Sequence, residues 1–216
     1  MMPVPRHLVV LGHPAEQSFN RTIAETYCDA VRGCGQEAEL HDLYATGFDP
    51  LLKDRERPSS EPFIPSEDVA VELDLLRGCD VVTLVYPIWF GMPPAIIKGY
   101  VDRVLGAGFG ARDLKKGVRH PLLHGKHLRI LTSSGTTRPW LEEQGQWASL
   151  RQAFDRYLST IFTLASHDHL HFDAIVEDLS PRYLDECCEG TREEARRWCA
   201  DLFALNRNVR AVRPAG

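Results

Sequence analysis

The sequence lacks the features that mark several large classes of protein. None of its apolar runs is long enough to span a bilayer, and the run near the N-terminus, residues 8–12, is too short for the core of a secretory signal. There is no stripe of basic residues, and 30 acidic against 25 basic residues give a formal charge of −5. This balance gives no reason to expect a nucleic-acid partner. We therefore expect a cytoplasmic protein without membrane insertion.

Common metal and nucleotide motifs are also missing. The six cysteines among the 216 residues have no CxxC spacing, so we interpret them as reduced thiols that serve as small apolar residues. Neither the GxGxxG fingerprint nor the P-loop occurs. These absences exclude the best-known dinucleotide and nucleoside triphosphate sites.

Five short apolar segments, by contrast, have the pattern of strands, and longer segments with helical periodicity lie between them. The second segment is more polar than the others, which is typical of an exposed strand. The spacing of Thr191 and Glu194 resembles a capping box and predicts that the last helix begins there. The predicted strands are residues 7–12, 36–44, 80–87, 126–134 and 168–177.

Strands that alternate with helices predict parallel pairing and a sheet covered on both faces. We expect an α/β fold with three layers, in which a doubly wound, five-stranded parallel sheet lies between helices. The polar segment 53–68 is an excursion inside one domain, and residues 1–216 form a single domain in this interpretation.

Ligands of such folds bind beyond the carboxyl ends of the strands. The first loop there, GHPAEQSFNRT, leads from a buried strand into a helix, whose free N–H groups attract anions. Ser18 and Asn20 add side-chain donors to this phosphate site. The alternative is that Ser18 only caps the helix.

The second loop lies in YPIWFGMPPAIIKGYVDRVL. Pro93 and Pro94 suit the entry of a helix and fix how the chain leaves the strand. Trp89 and Phe90 would then lie at the ligand-binding edge, where they can cover a flat ligand. The alternative is that both rings belong to the core.

The third loop follows the fourth strand. Ser133, Ser134 and Gly135 let the backbone approach a ring closely, although an ordinary flexible turn is the alternative. A phosphate site, an aromatic wall and a ring edge at one mouth of the sheet together favour a flavin site.

On these motifs the chain resembles the flavodoxin-like NAD(P)H:quinone oxidoreductases, the DT-diaphorase family. The resemblance covers residues 8–177 and implies strand order 2-1-3-4-5. Its marks are GHPAEQSFN, DLYATGFDPLL, YPIWFGMPPAIIKGYVDRVL and LHGKHLRILTSSG.

The resemblance also implies a homodimer with one flavin per subunit, either FAD or FMN, and NAD(P)H as the co-substrate. The flavin phosphates would be held by His13, Ser18, Phe19 and Asn20. The flavin ring would be held by Pro87, Ile88, Trp89, Phe90, Gly91, Ser133, Ser134 and Gly135.

The third loop departs from the family pattern. Members of the family carry a Tyr and a His there, whereas this sequence has neither, and Leu141 and Trp147 lie near those positions. The difference concerns the electron acceptor rather than the fold or the flavin.

A competing site involves histidines of the fifth strand. His167, His169 and His171 alternate along the sequence, so on a strand they share one face and are within reach of one metal ion. The alternative, which we favour, is that they are satisfied polar residues and that no metal binds.

The sequence thus predicts an enzyme, a two-electron flavin reductase. Hydride passes from NAD(P)H to the flavin and then to a quinone or a similar small acceptor, in a ping-pong sequence. The alternative from another class is a non-catalytic flavoprotein, either an electron carrier or a regulatory partner of a membrane transporter.

Overall fold

Five parallel strands form one sheet in the part of the chain that the structure describes. The computed structural model describes the backbone of residues 4–211 and the side chains of residues 4–204. The strands are β1 (Arg6–Leu11), β2 (Glu37–Asp42), β3 (Val81–Pro87), β4 (His127–Ser133) and β5 (Ser166–Phe172). Their order is β2-β1-β3-β4-β5, which confirms the predicted fold.

Helices connect the strands. A 3₁₀ turn at Asp54–Glu56 lies in the polar excursion, and π-helical turns form Val101–Leu105 and Arg151–Arg156. The α-helices are α1 (Phe19–Gly33), α2 (Glu67–Gly78), α3 (Ala95–Tyr100), α4 (Ala111–Lys115), α5 (Arg138–Glu143), α6 (Gln146–Leu150), α7 (Tyr157–Ile161) and α8 (Pro181–Ala211). Among the helices of residues 4–211, none combines the length and the apolar composition needed to cross a bilayer.

The burial of each strand follows its position in the sheet. All seven residues of central β3 are buried, as expected for a strand that helices cover on both faces. Edge strand β2 contains no fully buried residue. One face packs against α1 and α8, where the rings of Tyr27 and Trp198 lie 6.0 Å apart. The other face packs against α2, α3 and α7.

The fifth strand ends earlier than the sequence pattern indicates. β5 stops at Phe172, and the predicted continuation to residue 177 is wrong. Ala174 has φ 54°, which takes it out of the strand conformation, and the Ile175 amide donates to the Ser134 carbonyl oxygen at 2.9 Å. The chain therefore turns back across the end of β4 and becomes part of the edge where ligands are expected.

The last helix begins ten residues before the predicted start. The Ser180 hydroxyl accepts the Tyr183 amide at 3.2 Å, and Pro181 occupies the first helical position. Thr191 lies inside α8 and donates to the Cys187 carbonyl oxygen at 2.9 Å. The capping box at Thr191 is wrong because the preceding turns of α8 bury Cys187 and Cys188 beside α1.

A buried ion-pair network fixes the polar excursion to the helical layer. Arg103 and Glu56 are both fully buried, and the Arg103 Nε and Nη2 atoms lie 2.7 and 2.9 Å from the two Glu56 carboxylate oxygens. Arg103 also pairs with Asp68 at 2.6 Å. Ser66 lies directly before α2, and its hydroxyl donates to Glu56 instead of capping the helix. The network joins three separate segments of the chain.

The ionised state of Glu56 depends on this network. Burial by itself would raise its pKa, but the hydrogen bonds from Arg103 and Ser66 outweigh burial and lower the pKa from 4.5 to about 2. Because the folded-state pKa is depressed, the stabilising contribution is complete above pH 4.5 and is lost as the pH falls toward about 2.

We predict that Glu56→Gln lowers the free energy of unfolding by about 3 kcal/mol at neutral pH, since the Arg103 charge then stays buried against Asp68 alone. The difference from the wild type should shrink as the pH falls below 4.5. Urea unfolding of both proteins at neutral pH and below pH 4.5 measures this difference. The control Glu186→Gln removes an exposed pair with Arg182 and should change stability by less than about 0.5 kcal/mol. Equal losses in both variants would contradict a special role for the buried pair.

Candidate functional site

The carboxyl edge of the sheet contains a cavity of about 470 Å³. Residues of the three loops singled out in the sequence line it, together with the segment that follows β5. The predicted site residues in its wall are His13, Ser18, Phe19, Asn20, Pro87, Ile88, Trp89, Ser133, Ser134 and Gly135. Two predicted residues, Phe90 and Gly91, are not in the wall. The cavity is within the size range of small-molecule and cofactor sites.

The first loop presents the N-terminus of α1 to this cavity. The Ser18 hydroxyl accepts the Arg21 amide at 3.2 Å, so Ser18 caps the helix and still has its hydroxyl hydrogen to donate to a ligand. The Thr22 amide is bonded to the Ser18 carbonyl oxygen. Within the described residues, the amides of Phe19 and Asn20 have no acceptor. Two free donors at the positive end of a 15-residue helix suit an anionic group.

His13 adds a further donor on the same side. Its Nδ1 atom accepts the Ala15 amide at 3.0 Å, which leaves the proton of the neutral ring on Nε2. Partial burial lowers the pKa of His13, and the hydrogen bond from Ala15 opposes this effect. At neutral pH the ring is therefore an uncharged N–H donor beside the cavity.

Asn20 joins the first loop to the third. It is 3 % exposed, and its Oδ1 atom accepts the Ser133 hydroxyl at 3.0 Å. The side chain thus orients Ser133 in addition to lining the cavity. The sequence placed both residues in the site but gave no indication that they bond to each other.

The second loop contains a tight turn. Trp89 and Met92 exchange two backbone hydrogen bonds of 3.1 Å, and the central residues Phe90 and Gly91 have φ 51° and 79°. Positive φ at both central positions is typical of a type I′ turn, in which a phenylalanine is uncommon. A Cβ atom on Gly91 would lie 2.4 Å from Gln146 Oε1, so the turn packs closely against α6.

The two aromatic residues of this turn have different surroundings. The Trp89 ring lies 5.9 Å from the His13 ring and lines the cavity. Phe90 points away from the protein and is fully exposed. The core-packing alternative is therefore wrong for Phe90, while Trp89 is placed to cover a flat ligand.

The third loop is held by the segment that follows β5. The Ser134 amide donates to the Phe172 carbonyl oxygen at 3.0 Å, and the Ala174 amide donates to the Thr136 carbonyl oxygen at 3.1 Å. Sequence reasoning missed seven residues of the cavity wall. They are Gln17, Thr22, Ile175, Val176, Glu177, Leu179 and Leu184. For Ile175, Val176 and Glu177 the available signal was their position just after a strand end, and the predicted strand to residue 177 concealed it.

Leu141 and Trp147, near the positions where the resembled family has Tyr and His, belong to the core. They are 4 and 8 % exposed. The Trp147 ring lies 5.0 Å from the His169 ring and 4.9 Å from the His171 ring. Neither residue is in the wall of the cavity.

The histidines of β5 do not form a metal centre among the described residues, where no group of three metal-ligating side chains occurs. His169 and His171 share a face, as expected for alternate residues of a strand. All four of their ring nitrogens, however, have partners within the protein. They are satisfied polar residues.

The residues present fit a flavin. Free amides and the His13 Nε2–H group suit its phosphates, the Trp89 ring suits the plane of its ring system, and the backbone of Ser133–Gly135 offers polar groups for the ring edge. Carboxyl-edge cavities at helix N-termini are the general location for such ligands in open α/β sheets.

Comparison with known proteins gives consistent results. An uncharacterised NAD(P)H oxidoreductase of Haemophilus influenzae is 32% identical over 168 residues, which cover 77% of this chain and 81% of that protein. Rat NAD(P)H dehydrogenase (quinone) 1 is 34% identical over 153 residues, which cover 62% of this chain and 56% of the rat protein. The match thus spans little more than half of the rat enzyme.

The solved structure of an NAD(P)H:quinone oxidoreductase from Methanothermobacter marburgensis superposes with a TM-score of 0.76 at 24% identity, and the match covers 93% of this chain and 100% of that one. This likeness shows the fold. The family model described as flavodoxin-like fold matches residues 5–198. The chain therefore belongs to this flavodoxin-like family, as the sequence motifs predicted.

Proposed function

We propose that the protein is a flavin-dependent NAD(P)H oxidoreductase that reduces a quinone or a similar small acceptor by two-electron, ping-pong hydride transfer. The observation that carries this proposal is the single cavity where the free amides of Phe19 and Asn20, the Trp89 ring and the Ser133–Gly135 backbone meet. The relatives named as NAD(P)H oxidoreductases confirm the predicted enzyme class.

The protein's part in this reaction is placement. A bound flavin would take hydride from NAD(P)H and give it to the acceptor, so the chain must orient the ring and keep water away from it. His13, Ser18, Phe19 and Asn20 hold the phosphates in this proposal. Pro87, Ile88, Trp89 and Ser133–Gly135 hold the ring, whereas Phe90 and Gly91 lie outside the cavity wall. The choice between FAD and FMN stays open.

We also propose that the protein acts as a homodimer and that Phe90 belongs to the dimer contact. A fully exposed phenylalanine at the tip of a turn with positive φ adds no stability by burial to the isolated chain. Trp89 and Met92, which close the same turn, are also about half exposed, so apolar surface adjoins the tip. A self-complementary interface between two copies would cover it.

The state of the cysteines supports a cytoplasmic location. None of the six is paired with another in the structure, and five of them are buried. Thiols that persist in this state are typical of a reducing compartment.

The flavin site is tested by Asn20→Ala. Loss of a hydrogen bond to a charged group costs about 1.5 to 3 kcal/mol, so the flavin Kd should rise by about ten-fold or more. Fluorescence titration of flavin-free protein with FMN and with FAD measures it. Thr26→Ala, on the same helix but bonded to Cys188, is the matched control and should bind flavin normally. A wild-type protein that takes up neither flavin would overturn the proposal.

The shared pocket is tested by steady-state kinetics. If nicotinamide and acceptor occupy the same cavity, oxidised nicotinamide must leave before the acceptor enters. Double-reciprocal plots with NAD(P)H and a small quinone should then give parallel lines. Intersecting lines would contradict a shared pocket. Flavin that is reduced by NAD(P)H but passes nothing to quinones would favour the non-catalytic carrier instead.

The dimer contact is tested by Phe90→Ala. Burial of a phenylalanine contributes about 1.5 to 3 kcal/mol, and a two-fold contact contains two copies, so the dimer Kd should rise by about 100-fold or more. Sedimentation velocity over a range of concentrations measures it. Val71→Ala removes an exposed apolar side chain from α2 and should leave the dimer unchanged. A wild-type monomer at micromolar concentration would rule out the proposed assembly.

A further inference from the structure

An unbroken series of hydrogen bonds runs from a buried carboxylate to the cavity. Asp155 Oδ2 lies 2.7 Å from His169 Nδ1, and His169 Nε2 lies 2.7 Å from Thr132 Oγ1. The same hydroxyl lies 2.8 Å from His171 Nδ1, and His171 Nε2 lies 3.1 Å from Ser134 Oγ. Ser134 is one of the residues of the cavity wall. Five side chains from three segments of the polypeptide are thus connected in one hydrogen-bonded chain.

The inner part of this series of hydrogen bonds is shielded from solvent. The side chains of Asp155 and His169 have no exposed surface, and Thr132 and Ser134 are 1 and 5 % exposed. His171 is half-buried. The end of the series that solvent or a ligand can reach therefore consists of His171 and Ser134.

The hydrogens along the chain can be arranged in two ways. When His169 carries two protons, it donates through Nε2 to Thr132, Thr132 donates to His171 Nδ1, and His171 donates through Nε2 to Ser134. Ser134 then donates to the Thr136 carbonyl oxygen, 2.8 Å away. Each hydroxyl supplies its one hydrogen, and every contact is satisfied.

When His169 is neutral, the three hydrogen bonds between His169 and Ser134 reverse direction. Thr132 donates to His169 Nε2, His171 donates through Nδ1 to Thr132, and Ser134 donates to His171 Nε2. In both arrangements His169 donates through Nδ1 to Asp155. The two states differ by one proton and by the tautomer of His171.

One charged side chain on the same helix faces Asp155. Arg151 Nε lies 3.3 Å from Asp155 Oδ2 on the next turn of the helix. Burial first, and then the charge of Asp155, raise the pKa of Tyr86 well above its usual value, so this neighbour from β3 stays a neutral phenol. The carboxylate faces His169 as its main partner.

His171 is neutral at physiological pH. Burial and then the charge of His169 lower its pKa to about 4, Asp173 raises it, and Arg138 lowers it further. The ring of Trp147 covers both histidines and lies between them and Arg138. A neutral His171 carries one proton at a time, which the two-state chain requires.

We propose that Asp155, His169, Thr132, His171 and Ser134 form a proton relay that delivers one proton into the cavity when the acceptor is reduced. This inference rests on the proposed function. A quinone that receives a hydride needs one further proton to become a hydroquinone, and the relay supplies it. Asp155, His169 and Thr132 are positioning residues, since they act through Ser134.

The transfer balances as follows. The Ser134 hydrogen moves to the acceptor oxygen, and the His171 Nε2 hydrogen moves to Ser134. The Thr132 hydrogen moves to His171 Nδ1, and the His169 Nε2 hydrogen moves to Thr132. The chain ends in its neutral arrangement, and it regains one proton from water through the open cavity before the next turnover.

The first test uses histidine-labelled, flavin-free protein, so it does not depend on turnover. Nitrogen NMR follows the protonation of His169 and the tautomer of His171 against pH. In the wild type the His171 tautomer should switch from Nε2–H to Nδ1–H in step with proton loss from His169. In Thr132→Val, which keeps the side-chain volume, His169 should titrate without a switch at His171.

The second test separates the two half-reactions in flavin-loaded protein by stopped flow. Positioned acid–base groups contribute about 100-fold or more, and water in the cavity can replace part of this, so Thr132→Val should slow oxidation by a quinone by about ten-fold. Reduction by NAD(P)H should change by less than about two-fold, because hydride transfer needs no proton from the relay. If Thr132→Val folds poorly, Ser134→Ala is the second variant and should slow oxidation by a quinone to a similar extent.

The control is Thr83→Val, a buried threonine of β3 outside the relay, which should leave both half-reactions unchanged. Two other titratable residues of the cavity wall, His13 and Glu177, are intact in every variant. A His171 tautomer that is constant in the wild type, or a quinone half-reaction unaffected by both relay variants, would overturn the relay. Failure of NAD(P)H to reduce the flavin in the wild type would instead overturn the proposed function, and the NMR result would stand apart from it.

Discussion

The parallel register of β3 between β1 and β4 fixes where each loop of the site begins. The ladder continues one residue past the strands, since the Gly12 amide donates to the Val85 carbonyl oxygen at 2.9 Å and the Ile88 amide donates to that of Ser133 at 2.7 Å. The Ser134 amide likewise donates to the Phe172 carbonyl oxygen. The first residue of each loop is therefore held at a common edge, and the cavity results from the splay of the loops beyond it.

Buried polar groups connect the layers on either side of this sheet. Each such group loses hydration on folding and needs a full set of partners. Arg103 meets that need by binding the carboxylates of Glu56 and Asp68, which fastens the polar excursion to the helix after β3. His169 meets it through Asp155 and Thr132, which fastens the helix after β4 to the sheet. The same requirement thus produces an ion-pair network in one layer and a continuous series of hydrogen bonds in the other.

The turn at Phe90 shows how the scaffold sustains an unfavourable local conformation. A residue other than glycine at positive φ costs on the order of 1 to 3 kcal/mol and persists only when its surroundings determine it. Here the paired backbone groups of Trp89 and Met92 close the turn, and the near contact of Gly91 with Gln146 holds it against α6. The result places one aromatic ring in the cavity wall and the next one outside the protein.

The sequence by itself determined the strands of the sheet and the three loops of the site, because alternating apolar and helical periods reflect burial, and burial follows from local residue pattern. The family resemblance implied the strand order and completed the ten predicted residues of the cavity wall. Tertiary structure decided the end of β5 and the start of α8, where Ile175 bonds to Ser134 and Cys187 packs beside α1 across large sequence separations. It likewise decided that Asn20 bonds to Ser133 and that His169 and His171 share Thr132. Such partners depend on which segments the fold brings together, and no local pattern of residues encodes that.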